Sequence, residues 1–107
     1  MAKDINKAEY YAVYSGLFTD KQRETMEMYY YSDLSLGEIS EETGVTRQAA
    51  FNCIKKCEDR LAEFEDALGL VEKKDKAAKL VASLEELVIK GRKDNALIII
   101  EKLKEIY

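Results

Sequence analysis

The side chains best suited to binding chemistry lie in a short stretch near the middle of this 107-residue chain. Arginine and glutamine can each form two hydrogen bonds with a base edge, to guanine and to adenine respectively, and each can bind a phosphate instead. Asparagine and lysine can continue such contacts along a phosphate backbone, and a threonine-capped helix N-terminus can hold a phosphate. The residues predicted to bind nucleic acid in this way are Thr46, Arg47, Gln48, Asn52, Lys55 and Lys56.

A second interpretation of these side chains stays open at this point. Arg47, Gln48 and Lys55 can equally pair with neighbours on the surface or between helices. Several acidic residues nearby would also repel phosphate: Glu41, Glu42, Glu58 and Asp59.

The surrounding residues predict a helix-turn-helix motif over residues 36–58, which would present these side chains. A short first helix, Gly37–Thr43, follows the capping box Ser35-x-x-Glu38, in which each side chain reaches the other residue's backbone N–H. Gly44 stands where the turn needs a positive φ, which glycine adopts without steric cost. Where the two helices must touch, the sequence has Ile39, Ala50 and Ile54.

Two further helices are predicted before the motif. The first covers about residues 5–16, with Asp4 as its N-cap, and follows helical apolar spacing. The second follows a capping box that begins at Thr19 and ends near the turn-forming pair Ser32–Asp33. Its Tyr29–Tyr31 triplet is expected to pack in the core, although such a cluster can also stack on single-stranded bases.

The second helix of the motif is predicted to continue well beyond the usual length. Its apolar residues follow alternating steps of four and three, and they are Ala50, Ile54, Cys57, Leu61, Phe64 and Leu68. Gly69 is suited to end this extended recognition helix. An amphipathic helix is then predicted over Lys74–Lys90, and Asp94 is the predicted N-cap of a final helix, Asn95–Ile106.

These segments together predict an all-α chain. A helix-turn-helix domain is expected over residues 1–70 and a C-terminal helical hairpin over residues 71–107. The lack of proline and the presence of only five glycines argue against a β-sandwich or barrel. The final helix contains four consecutive apolar residues, Leu97–Ile100, which need cover on more than one side. A second subunit would supply that cover, so a homodimer is expected.

The charge of the chain is unusual for a protein that binds duplex DNA. Its net charge is −4 and its pI about 5.0, whereas such domains are usually basic. Basic residues are concentrated in residues 69–107, where a solvated helix face is the simplest explanation for them. No apolar run approaches the ~20 residues that span a bilayer, and the N-terminal residues lack an apolar signal core. The chain is therefore expected in the cytoplasm.

Enzyme and metal chemistry find little support in the residues. The chain has no histidine, no glycine-rich phosphate loop and no nucleophile with a paired base, so it is not expected to be an enzyme or to need a cofactor. Cys53 and Cys57 share one helix face, where they are expected to be reduced and directed towards the core. Two thiols without histidine make a poor structural zinc site.

Residues 14–70 resemble the YlxM family of small bacterial proteins, which are similar to region 4 of bacterial sigma factors. The most specific segments are Leu17–Arg23 (LFTDKQR), Tyr29–Tyr30, Asp33–Ile39 (DLSLGEI) and Thr46–Ala49 (TRQA). The family pattern then continues as Val-Tyr-Asp-Asn-Ile-Lys-Arg, where this chain reads AFNCIKK over residues 50–56. The apolar and basic positions agree, but the polar surface differs, so no sequence preference is carried over.

The resemblance implies a non-catalytic regulator on a sigma-region-4-like helix-turn-helix bundle that binds DNA or RNA. The genes of YlxM proteins tend to lie beside those for the GTPase Ffh and the receptor FtsY. The resemblance therefore implies a role in the signal recognition particle pathway, with its RNA or these proteins as partners. The alternative is a protein-interaction module that binds components of the signal recognition particle or RNA polymerase. The acidic balance and the apolar C-terminal helices favour that alternative.

Overall fold

The computed structural model describes residues 5–107, and all regular structure within that range is helical. The order along the chain is α1 (Ile5–Tyr14), a 3₁₀ turn (Ser15–Leu17), α2 (Asp20–Tyr30), α3 (Leu36–Thr43), α4 (Arg47–Leu68), α5 (Leu70–Ile89) and α6 (Lys93–Ile106). The predicted all-α fold with an extended recognition helix is confirmed. Asp4, the predicted N-cap of the first helix, lies outside the described residues.

Local capping signals set the starts of α2 and α3. Thr19 and Gln22 form a complete capping box at α2, with the Gln22 N–H donating to the Thr19 hydroxyl oxygen over 3.2 Å. Ser35 and Glu38 form the second box at α3, with both hydrogen bonds at 3.1 Å. Each box supplies two backbone N–H groups with partners that the helix itself cannot provide.

Helices α1 to α4 form one compact unit that ends at Leu68. Helices α1, α2 and α3 each pack against α4, which is the centre of this unit. The buried residues of α4 recur every three or four positions, as the sequence predicts, and they are Ala50, Ile54, Cys57 and Leu61. Ile39 of α3 and Tyr11 and Met26 of α1 and α2 are fully buried with them. The predicted contact between the two helices of the motif thus forms around Ile39, Ala50 and Ile54.

Tyrosines contribute both apolar area and hydrogen bonds to this core. The Tyr11 hydroxyl donates to Glu27 over 2.7 Å, and the Tyr14 hydroxyl donates to Glu65 of α4 over 2.6 Å. Burial raises the pKa of Tyr11 above its ordinary value, and the Glu27 carboxylate raises it further. The Tyr11 phenol therefore stays protonated and keeps its role as donor. Paired in this way, the hydroxyls avoid the cost of burying a polar group without a partner.

Two residues that were expected in the core lie at its edge instead. Tyr31 is 60% exposed, although Tyr29 of the same triplet is buried. It keeps helical backbone angles at the end of α2, but it lies two residues beyond Tyr29 and therefore about 200° around the helix from it, away from the buried face. Its ring meets the Tyr11 ring edge-on. Leu68 is 46% exposed at the end of α4, so the apolar seam stops short of the predicted end.

The turn between α3 and α4 depends on Gly44, which has a φ of +78°. Space does not prevent a larger residue there, since a Cβ at Gly44 would meet no atom within 4 Å. The left-handed backbone alone penalises an L-residue by about 1–2 kcal/mol. We expect Gly44→Ala to lower the free energy of unfolding by about 1 kcal/mol, since alanine also restricts the unfolded chain. Urea unfolding followed by tyrosine fluorescence measures this change.

Gly16 offers a matched control for that substitution. A Cβ there also meets nothing within 4 Å, and Gly16 lacks a positive φ. Gly16→Ala should therefore leave the midpoint of urea unfolding unchanged or raise it slightly. An equal loss in both variants would contradict a role for the left-handed turn.

Residues Gly69–Tyr107 form a second compact unit, a hairpin of α5 and α6. Gly69 has the left-handed conformation expected of a residue that ends a helix, with a φ of +60°. Helix α5 begins directly after it, at Leu70 rather than at the predicted Lys74. Because α5 starts as soon as the chain has turned at Gly69, Val71 is already buried in this hairpin.

The predicted N-cap of the last helix is wrong. Arg92 occupies that position in α6 without a side-chain hydrogen bond, and Asp94 lies inside the first turn. A carboxylate in the first turn still interacts favourably with the positive end of the helix dipole, so Asp94 suits the helix without capping it. Much of the apolar surface of this unit is exposed, including Val88, Ile89, Leu97 and Ile98.

Candidate nucleic-acid interface

The outer face of α4 collects four of the six residues predicted to bind nucleic acid. Successive residues of an α-helix turn by about 100°, so positions 48, 52, 55 and 56 fall on one side and the buried positions 50, 54, 57 and 61 on the other. The side chains agree with this geometry. Gln48, Asn52, Lys55 and Lys56 are all exposed. We call these four residues the outer face.

Thr46 caps the helix that carries this face. The Ala49 N–H donates to the Thr46 hydroxyl oxygen over 3.0 Å, and the Ala50 N–H donates to the Thr46 carbonyl over 3.0 Å. The predicted cap is therefore present. Other N–H groups of the first turn have no carbonyl partner within the helix, which together with the helix dipole favours an anion at this end.

Arg47 is placed apart from the outer face. Its guanidinium lies over Gly37 in the first turn of α3, so closely that a Cβ at Gly37 would stand 2.9 Å from one of its terminal nitrogens. With Ser35 and Leu36 it lines a cleft beside the N-terminus of α3. The sequence did not single out Gly37. The sequence feature that indicates such a contact is a glycine inside a helix, at a position where no positive φ is needed. A glycine of that kind indicates the close approach of another group.

The polar residues of the outer face are paired with each other or with neighbours. Gln48 donates an amide hydrogen to Asn52 over 3.0 Å, and the Lys55 ammonium lies 3.0 Å from the Asp59 carboxylate. The hydrogen bond and charge of Asp59 raise the pKa of Lys55, which therefore carries its full charge at neutral pH. A nucleic acid that used these groups would have to exchange partners with them.

The acidic residues around the outer face differ in whether their carboxylates face solvent or the protein. Glu58 is half-buried and accepts a hydrogen bond from the Tyr30 hydroxyl, which holds its carboxylate against α2. Asp59 stays on the outer side with Lys55. Glu41 and Glu42 are exposed on α3. Of the four acidic residues predicted to repel phosphate, Glu58 is therefore the one drawn into the protein.

The described residues contain neither a metal-ligand cluster nor a membrane-spanning helix. Over residues 5–107, no group of three or more cysteine, aspartate or glutamate side chains converges as metal ligands do. Within the same range, every helix is too short or too polar to cross a membrane.

Comparison with known proteins gives consistent results over most of the chain. Residues 1–105 match the model of a family described as "Putative helix-turn-helix protein, YlxM / p13 like". A UPF0122 protein of Caldanaerobacter subterraneus subsp. tengcongensis is 45% identical over 78 residues, which is 73% of this chain and 67% of that protein. UPF0122 proteins of Bacillus thuringiensis and Bacillus mycoides are each 49% identical over 75 residues, which is 70% of this chain and 68% of each relative.

Proposed function

This chain belongs to the YlxM/p13-like family of helix-turn-helix proteins, and from that premise we propose that it is a non-catalytic regulator that binds nucleic acid through α4. The observation that carries the proposal is the outer face, where Gln48, Asn52, Lys55 and Lys56 are exposed together opposite the core. A helix with this exposure can enter a major groove or lie along a structured RNA.

The remaining two predicted residues are assigned to the phosphate backbone. The end of α4 that Thr46 caps attracts an anion through its N–H groups and dipole. Arg47 lies beside it and against α3, and we assign it to a backbone phosphate rather than to a base. Base contacts then fall to Gln48 and Asn52, whose amide groups can each pair with adenine once their mutual hydrogen bond opens.

Charge determines how strong this binding can be. Three cations, Arg47, Lys55 and Lys56, stand at or near the interface, while the whole chain carries a net charge of −4. Each phosphate neutralised on duplex DNA contributes about 0.9 to the slope of log affinity against log salt. Three contacts give a slope of about −2.7, which is much shallower than the slope of strongly basic DNA-binding proteins.

A salt titration tests the proposal. Fluorescence anisotropy with a labelled duplex DNA and a labelled RNA hairpin, each over a range of salt concentrations, yields the affinity and its slope. We expect binding to at least one of the two with a slope of about −2 to −3. Absence of salt-dependent binding to both would overturn the proposal.

The cellular setting is part of the same proposal. The resemblance to YlxM proteins implies the signal recognition particle pathway in the cytoplasm, with its RNA, Ffh or FtsY as partners. The RNA of the signal recognition particle would bind to the outer face of α4. RNA that co-purifies with the tagged chain from its own cell would identify the nucleic acid.

A second candidate function is an interaction module that binds protein instead. The exposed apolar side chains of the second unit favour it, with Ile89 85% exposed and Leu97 and Ile98 both more than half exposed. These residues would meet components of the signal recognition particle, RNA polymerase or a second copy of the chain. Recovery of a protein partner after nuclease treatment supports this function, and a strictly monomeric mass by light scattering removes the homodimer.

A further inference from the structure

A cavity of about 210 Å³ lies between the start of α2 and the first turns of α4. Thr25, Val45 and Ala49 line it, together with Lys21. Cys53 also lines this cavity and is half-buried, so its sulfur can be reached from the cavity side. The volume corresponds to about seven water molecules at ~30 Å³ each, which is room for a group of the size of an amino acid.

Cys53 is surrounded by groups that favour its ionised form. The Cys57 thiol donates a hydrogen bond to it and is the largest influence, and Thr25 and the Lys56 charge act in the same direction. Burial of the thiol acts against them, and the net result is a pKa of Cys53 lowered to about 6. Cys57 is 1% exposed, and its pKa is raised by the same hydrogen bond and by burial. One thiol of the pair is therefore an accessible nucleophile at neutral pH, and the other is an inert donor.

We propose that Cys53 is a site of reversible thiolation by the disulfide of a small cysteine-containing molecule, whose cysteinyl part then occupies the cavity between α2 and α4. The Cys53 thiolate attacks one sulfur of that disulfide. A new S–S bond forms to Cys53 as the original S–S bond breaks, and the second half leaves as a thiolate that takes a proton from water. The disulfide is the oxidant, and the charge of Lys21, which also lines the cavity, favours an anionic group on the half that stays attached.

The adduct is stable until an external thiol removes it. Cys57 lies four residues away on the same helix, where side chains do not readily adopt disulfide geometry, so it cannot displace the attached group. The bound group would stand beside Ala49 and Asn52, next to the outer face of α4. The site itself does not depend on the proposed function, because the adduct can be measured without any nucleic acid.

Intact-mass analysis after incubation with glutathione disulfide at pH 7 tests the proposal. We expect one glutathionyl group per chain, its loss on treatment with a reducing thiol, and no addition to Cys53→Ser. Trypsin cleaves after Lys55 and Lys56, which separates the two cysteines and locates the group. Addition at Cys57, or at neither cysteine in the folded chain, would overturn the proposal.

The rate of the reaction tests the role of the cysteine pair. Its pH profile should rise with an inflection near pH 6, because the thiolate forms there rather than near the ordinary value of about 8.5. Cys57→Ala removes the donor and should move the inflection upward. The rate at pH 7 should then fall by only about two- to threefold, since a roughly 30-fold smaller thiolate fraction is largely offset by higher nucleophilicity. An unchanged profile would remove Cys57 from the mechanism and contradict the assignment.

A substitution that fills the cavity distinguishes the effect of the cavity on the reaction rate from the effect of thiol exposure alone. Ala49→Leu places a larger side chain in the cavity and should slow glutathionylation by about tenfold, since exchange depends on access. Alkylation by the smaller reagent iodoacetamide should change little. Ala67→Leu, an exposed position further along α4, is the matched control and should change neither rate. Equal rates in all three proteins would exclude the cavity as the binding place.

Discussion

Replacing Leu61 with alanine is expected to lower the free energy of unfolding of the first unit by about 2–5 kcal/mol. Leu61 is 0% exposed in α4, the helix against which the other three helices of the unit pack. The substitution removes buried methyl groups and leaves a cavity that a close-packed core refills only partly. For a unit of this size, such a loss corresponds to a fall in melting temperature of roughly 10–30 °C.

The tyrosines give a measurement confined largely to this unit. Six of the seven lie between Tyr10 and Tyr31, and the seventh is Tyr107 in the second unit. Urea unfolding followed by tyrosine fluorescence thus reports mainly on α1 to α4. Leu68→Ala is a matched control on the same helix, because Leu68 is 46% exposed, and we expect it to cost less than about 1 kcal/mol. Similar losses in the two variants would show that α4 is not the centre of the unit.

Reversing the charge at two positions of the outer face should strongly weaken binding to nucleic acid. Lys55→Glu combined with Lys56→Glu replaces two cations with two anions on one side of α4. Each lost phosphate contact lowers the salt slope by about 0.9, and each new carboxylate repels the backbone. We expect the affinity at moderate salt to fall by at least about 100-fold. The binding that remains should show a slope of log affinity against log salt no steeper than about −1.

The control for this variant must change the net charge equally without touching the outer face. Lys79→Glu combined with Lys102→Glu does so, since these exposed residues lie on α5 and α6. We expect the control to retain most of its affinity, because binding depends on the local face more than on the total charge. Anisotropy titrations on the same labelled nucleic acids compare the two variants. Equal losses in both would contradict a specific interface on α4.

Features that depend on neighbouring residues could be predicted from the sequence. The capping boxes at Thr19 and Ser35, the left-handed turn at Gly44 and the cap at Thr46 each involve residues within three or four positions. The buried face of α4 follows from helical periodicity for the same reason. These local signals agree with one another, which is why the fold class could be recognised before the structure was known.

Features that depend on tertiary contacts could not be predicted in this way. The stacking of Arg47 over Gly37 and the hydrogen bond from Tyr30 to Glu58 join residues on different helices. The sequence predicts that Arg47 contacts a base edge or a phosphate because it lies at the start of the recognition helix, and it gives no sign of the contact between Arg47 and α3. Tyr31 and Asp94 were misplaced for a related reason: both lie at helix ends, where a shift of one or two residues changes the environment completely.

The lack of proline and the all-helical first unit also determine when this chain folds during synthesis. Without X–Pro bonds there is no isomerisation step lasting tens of seconds, and helical units of this size fold within about a millisecond. Once its residues have left the ribosome, the unit that ends at Leu68 can therefore complete its core without a slow step, and its folding does not wait for the exposed apolar surface that follows.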